Sequence, residues 1–204
     1  NTINSVVNGQ RKILNKDSVG YNLQLVSGFN TLSFNDLPLS KTDHLVIHPK
    51  AKHKEDHLSM KPKGSYGKFT IGDIYISSFE ICSIFRRNQM GPGGSFGLIF
   101  RATNCSEGGE GNDPVLGINF FIGYSFLITA DQLLLSKHCY DQKILMKVDS
   151  DLCLADSISI RVIGYGPDIK VFINDETEPT VSYYDPYPFL YGRGGFRFAS
   201  CLLD

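Results

Sequence analysis

The chain has 204 residues, 42% hydrophobic, 12% aromatic and 20% charged, the make-up of one medium globular domain, or of a domain plus a fragment of another. Lys and Arg number 20 against 21 Asp and Glu, a net charge of -1, without the basic surplus that nucleic-acid binding demands. No apolar run approaches the roughly 18 residues of a membrane-spanning helix, and without an initiator Met, signal peptide or lipidation motif the chain reads as a mature or excised segment.

In chain order, residues 1–48 predict strands and turns. Asn8-Gly9 is a hairpin signal. Tyr21–Leu25 alternates apolar and polar, Ser27-Gly28-Phe29-Asn30 turns, and Thr31–Phe34 resumes the alternation. His44–His48 is a short strand stopped by Pro49. Residues 49–65, rich in Lys and His with two prolines, read as a solvated linker, since no aromatic residue interleaves the charges as in an anion-binding stripe. Strands then follow at Phe69–Ile76 and Phe79–Phe85, a turn at Asn88–Gly94, and a strand at Phe96–Ala102. A polar Gly-rich loop spans Asn104–Pro114. Further strands are predicted at Gly117–Ile122, Tyr124–Thr129, Gln132–Ser136, Ile144–Val148, Ser157–Ile163, Ile169–Asn174 and Gly195–Ser200. Only short helical turns fit, around Asp149–Ala155, because no segment sustains a 3.6-residue period with caps. Many short strands at about 8–12-residue spacing predict an all-β antiparallel sandwich or jelly roll.

Alternation assigns faces. Ile158, Ile160 and Val162 share one, with Arg161 opposite; Ile169, Val171 and Ile173 share one, with Lys170 and Asn174 opposite. In Phe96–Ala102 the row is Leu98, Phe100 and Ala102, with Ile99 and Arg101 on the other side. Arg101 and Arg161 are thus expected on solvated faces, or on a concave sheet that binds something polar. The five cysteines are odd in number and form no CxxC, which argues against a structural zinc site and a dense disulfide framework. Cys82 is expected as a small buried hydrophobe, and a Cys139–Cys153 bridge is open to geometry.

Catalytic signatures are sparse. No E-x-D-x-E, H-E-x-x-H, G-x-S-x-G or P-loop occurs. A retaining glycosidase needs two carboxylates about 5–5.5 Å apart, whereas the strand acids are mainly Asp73 and Glu80, and Glu107 and Glu110 fall in the Gly-rich loop. His44 and His48 share a strand face and read as a surface pair rather than metal ligands. The segment Ser182–Arg193 concentrates four tyrosines, Asp185 and Arg193, stiffened by Pro186 and Pro188. Sugar binding uses such rings for the C–H face of a saccharide and planar polar groups for its hydroxyls. An aromatic lid over the sandwich core is the other reading of the same loop.

The succession from Tyr66 to Ser200 carries a resemblance. Its pieces are Gly97-Leu98-Ile99-Phe100-Arg101-Ala102, Gly123-Tyr124, Leu133-Leu134-Leu135, Ile160-Arg161-Val162, Ile169-Lys170-Val171-Phe172-Ile173-Asn174 and Gly192-Arg193-Gly194-Gly195-Phe196-Arg197. Together they resemble the concanavalin A-like/laminin G-like jelly rolls attached to bacterial glycoside hydrolases, fructan-binding modules among them. Leu23–Phe34 and Asp43–Ile47 resemble the closing strands of a galactose-binding-like sugar-binding module. The resemblance implies three parts: residues 1–48 as extra strands packed on the jelly roll or the end of a preceding module, 49–65 as linker, and 66–204 as the jelly roll. It implies a noncatalytic carbohydrate-binding or accessory module of a secreted, periplasmic or cell-surface glycoside hydrolase. The partners are then a glycan and a neighbouring catalytic domain. The implied site brings together Arg101, Tyr124, Asp185 and Arg193, with Tyr184 and Tyr187 beside them. No cofactor is implied beyond a structural calcium, for which Glu80 and Asp204 are the carboxylates to consider. A hydrolase of the same fold and a bracing or interaction sandwich are the alternatives.

Overall fold

The computed structural model describes residues 24–27, 30–33, 45–48, 51–53, 58–60, 66–71, 77–103, 121–152 and 157–203. They form β1 (Gln24–Ser27), β2 (Asn30–Ser33), β3 (Leu45–His48), β4 (Ala51–His53), β5 (Leu58–Met60), β6 (Tyr66–Ile71), β7 (Phe79–Thr103), β8 (Ile122–Thr129), β9 (Gln132–Cys139), β10 (Gln142–Asp149), β11 (Ser157–Tyr165), β12 (Asp168–Ile173), β13 (Val181–Tyr184) and β14 (Arg193–Leu203). Every pairing among them is antiparallel. The chain is an all-β, two-sheet sandwich.

One sheet runs β2-β1-β7-β11-β12-β13. The other runs β10-β9-β8-β7-β14-β6-β3, with β5 and β4 continuing from the far end of β14. The strands at 24–27 and 45–48 join the sheets through β7 and β6. The stretch expected to be linker holds β4 and β5, paired Ala51 to Met60. The Asn8-Gly9 turn, the loop at 104–114, residues 117–120 and His44 lie outside the described residues.

β7 belongs to both layers. Phe79–Arg86 pairs with β11 and Ser95–Thr103 with β8. The turn expected at Asn88–Gly94 therefore does not reverse the chain; it carries one strand from sheet to sheet. Gly93 is the hinge residue that shows how: its φ is 69°, in open space with nothing within 4 Å of where a Cβ would stand, a conformation other residues reach only with strain. The segments Gly117–Ile122 and Tyr124–Thr129, expected as two strands, are described only from 121 on, where a single strand β8 runs.

Side chains alternate as the pattern predicts over most strands. Phe79, Ile81 and Phe85 of one sheet face Phe96, Leu98, Phe126 and Phe198 of the other, all buried. Ile158, Ile160 and Val162, and Ile169, Val171 and Ile173, extend this core. Burial of each such side chain contributes about 1.5–3 kcal/mol before conformational entropy is set against it. Phe85 sits edge-on to Phe196 at 5.7 Å. On the other face of the β8 sheet, Ile99, Ala102 and Phe121 form a small second cluster, with Phe121 stacked on His138 at 4.2 Å.

Two face assignments are corrected. Ala102 packs with Ile99 rather than with Leu98 and Phe100, because the β7–β8 register slips between Phe100 and Thr103. The extra residue is Arg101, at φ 48°, and a bulge of this kind reverses the alternation beyond it. Cys82 is half-buried and outward, in line with Arg161; its Sγ lies 3.7 Å from Glu80. The inward position beside it is filled by the buried Ser83. Glu80 also faces Arg161 at 3.7 Å, and the Arg161 guanidinium lies 3.9 Å from the Phe172 ring centroid. Cys139 is an exposed free thiol, and Cys153, the bridge partner considered from sequence, lies outside the described residues.

Candidate functional site

The tyrosine-rich segment leaves the β13 edge and returns to β14 across the open end of the sandwich. Its first residues, Ser182–Tyr184, are strand rather than loop: Tyr183 pairs with Ile169 and Tyr184 with Asp168. Period two then turns Tyr183 inward, packed against the core, and Tyr184 outward, 63% exposed.

Asp185, itself buried, anchors the remainder of the loop. Its Oδ2 accepts from the Tyr124 hydroxyl at 2.7 Å and from Lys137 Nζ at 2.8 Å. Its Oδ1 accepts from the Tyr187 amide at 2.9 Å, an Asx turn. The Asp185 amide donates to the Pro167 carbonyl at 3.0 Å, tying the loop to the β11–β12 turn. The Tyr124 hydroxyl in turn accepts from the Phe189 amide at 2.9 Å, and Lys137 also donates to the Tyr187 carbonyl. Tyr124 is itself fixed by stacking on Phe100, centroids 5.6 Å apart at 11°. Lys137 lies 4.6 Å from the Phe189 ring centroid, a cation–π contact. Prolines and this network together leave the loop little freedom to lose on binding.

Electrostatics follow from burial. Burial pulls the Asp185 carboxyl upward, but hydrogen bonds from Lys137, Tyr124 and the Tyr187 amide outweigh it, and the net value falls below the ordinary 3.8. Burial, then the hydrogen bond to Asp185, pushes the Tyr124 hydroxyl up, so it stays a proton donor. A carboxyl depressed in the folded state contributes stability that is complete above its unfolded value and lost as pH falls through the folded one. The urea stability of the wild type should therefore exceed that of Asp185→Asn by a constant margin from neutral pH to about pH 4, and the margin should shrink below that. A margin unchanged down to pH 2 would contradict the carboxylate's role.

Arg101 stands behind this network. It is 1% exposed, not the solvated strand arginine that alternation predicted. The bulge aims its guanidinium at the Phe79 ring, 5.4 Å from the centroid, and Nη2 donates to the Ser77 carbonyl at 3.2 Å. Burial lowers its pKa, opposed by the Asp185 carboxylate. Two glycines make room for the bulge: a Cβ on Gly192 would lie 2.3 Å from the Arg101 carbonyl carbon, and one on Gly123 2.8 Å from its oxygen. Nε and Nη1 of Arg101 and Nε of Arg193 are buried without hydrogen-bond partners. Arg193 is half-buried, its backbone opposite Ala102.

The six candidates from sequence thus occupy three positions. Tyr124, Asp185 and Arg101 form the buried base, Arg193 lies half-buried beside the bulge, and Tyr184 and Tyr187, the latter 83% exposed, face outward. Sequence reasoning missed Lys137. Lys137 had a signal: it shares parity with Leu133 and Leu135, so a lysine stood on the core-facing row of β9. Among the described residues no group of three metal-ligating side chains gathers, and Glu80 is engaged with Arg161; Asp204 lies outside the described residues.

The fold is shared with solved jelly-roll sandwiches. A carbohydrate-binding module from Bacillus subtilis, CBM66, superposes with TM-score 0.60 at 14% identity, covering 79% of this chain and 91% of the module. The calcium-bound exoplasmic/lumenal domain of VIP36 gives 0.56 at 13%, covering 84% of each chain. The potassium-bound carbohydrate recognition domain of Emp46p gives 0.55 at 13%, covering 81% of this chain and 85% of that one. No family model and no curated sequence matches the chain. At these identities the likeness is one of architecture, the concanavalin A-like and galectin-like jelly roll.

Proposed function

We propose that the chain is a noncatalytic carbohydrate-binding sandwich, an accessory module of a secreted, periplasmic or cell-surface glycoside hydrolase related to the fructan-binding modules. The observation that carries this reading is the pinned loop, with Tyr184, Tyr187 and Tyr191 turned outward at 54–83% exposure over a base tied by Asp185. Rigid exposed rings stack on sugar C–H faces at small entropic cost. Two of the architectural neighbours carry carbohydrate recognition in their names. No helix among the described residues is long and apolar enough to cross a membrane.

A hydrolase of the same fold is favoured less. Its general acid must hold a proton near neutral pH, whereas Asp185, the buried carboxylate among the described residues, is kept ionised by Lys137. Affinity electrophoresis in gels of levan, inulin, laminarin, xylan and galactomannan tests the proposal. At least one polysaccharide should retard the wild type, and Tyr187→Ala should weaken that retardation roughly tenfold while leaving stability within about 0.5 kcal/mol. Absence of retardation in every gel, or a Tyr187→Ala protein that binds as the wild type does, would overturn it.

A further inference from the structure

Among the described residues, five of the seven exposed large hydrophobic side chains, Tyr165, Tyr184, Tyr187, Leu190 and Tyr191, lie at this end of the molecule. Tyr165 belongs to no part of the loop network. It ends β11, where the two-residue turn Gly166-Pro167 leads into β12, Gly166 taking the φ of 53° that such a hairpin needs at its first central position. Tyr165 stands opposite Asp168, and Asp168 stands opposite Tyr184. Residues in one register row point to one face, so the order across β11, β12 and β13 is Tyr, Asp, Tyr on the outer surface. The tyrosines are 72% and 63% exposed, and Asp168 is exposed between them.

The spacing has chemical content. Neighbouring strands lie about 4.8 Å apart, which separates the two tyrosine backbones by about 9.6 Å, close to the length of a disaccharide unit. Two rings at that separation serve alternate sugars of an extended chain, and the carboxylate between them accepts hydrogen bonds from the hydroxyls of the intervening sugar. Asp168 also sets the charge of the ligand. A uronate, sulfate or phosphate placed across the row would meet a carboxylate at its centre, whereas a neutral sugar meets an acceptor. The row ends at Tyr184, the residue from which the pinned loop departs, so the platform and the loop are continuous.

We propose that the outer face of β11–β12–β13 is a second binding subsite, in which a neutral, linear polysaccharide lies across the strands with sugar rings on Tyr165 and Tyr184 and hydroxyls on Asp168. This extends the carbohydrate-binding reading and depends on it. The ligand then spans several sugar units, and short oligosaccharides occupy the loop alone.

Calorimetry with oligosaccharides of two to six units, cut from whichever neutral polysaccharide retards the protein, tests the subsite. Wild-type affinity should rise roughly tenfold with length. Tyr165→Ala should abolish that gain and leave disaccharide affinity unchanged, and Tyr187→Ala should weaken both. Circular dichroism and thermal melting establish that Tyr165→Ala, a change at an exposed position, keeps the fold. A length gain that survives Tyr165→Ala overturns the subsite alone; no binding of any polysaccharide overturns it together with the functional reading. Tighter binding of polygalacturonate than of neutral chains overturns the charge argument. A dimer seen by sedimentation and dissociated by Tyr165→Ala would assign the row to a second copy of the chain instead.

Discussion

Replacing Asp185 with Asn is expected to lower the stability of the whole sandwich by about 3 kcal/mol, the low end of the cost of breaking a buried ion pair, because Lys137 keeps partial access to water. For a domain of this size that is a melting temperature lower by about 6–12 °C. The reason is stereochemical. Asp185 accepts three hydrogen bonds, from Tyr124, Lys137 and the Tyr187 amide. An asparagine retains one carbonyl oxygen and sets an NH2 donor against the donors on its other side, so buried groups lose their acceptor. Lys137→Met should cost at least as much, about 3–4 kcal/mol, since it strands the more deeply buried carboxylate without its cation, although Tyr124 and the Tyr187 amide still donate to it. The double mutant should lose less than the sum of the two changes. If Asp185→Asn leaves the denaturant midpoint where it is in the wild type, the carboxylate is not the tie of the loop. Glycan retardation should fall in Asp185→Asn even well below its melting temperature, because the tyrosines would lose their fixed presentation.

The architecture was legible because strands write their burial at period two. β11 and β12 show it plainly: Ile158, Ile160, Val162 and Ile169, Val171, Ile173 are buried as alternation requires. It failed where the backbone departs from the pleat. The glycines and proline at 91–94 look like a chain reversal, and only the pairing of both flanks shows a strand changing layers. The Arg101 bulge is invisible in a string that alternates well on either side of it; its trace is the pair of glycines at 123 and 192, distant in sequence and adjacent in space. The tyrosine loop was visible as composition, yet which rings face out depended on Tyr183 and Tyr184 being strand. Tyr165 gave no sign, since a single tyrosine at a strand end acquires meaning only when a neighbouring strand sets another beside it.

The bulge itself yields the second large effect. Gly192→Ala is expected to destabilise the protein by about 3 kcal/mol or more, from overpacking combined with backbone strain. Its φ of 144° lies where side chains are strained, and the added methyl would sit 2.3 Å from the Arg101 carbonyl carbon and 2.6 Å from the Ala102 nitrogen. Both obstacles are backbone, held in the β7–β8–β14 ladder, so neither rotates away. Gly123→Ala meets the same bulge from the β8 side at 2.8–2.9 Å and should cost somewhat less. Gly93→Ala is the control: its φ of 69° is also positive, but nothing lies within 4 Å, so only the conformational cost of about 1–2 kcal/mol applies. Urea unfolding of the three variants should rank them 192, 123, 93 in loss of stability. Equal losses at 192 and 93 would mean that φ alone governs, and that the two glycines do not make the space in which Arg101 is set behind the tyrosine loop.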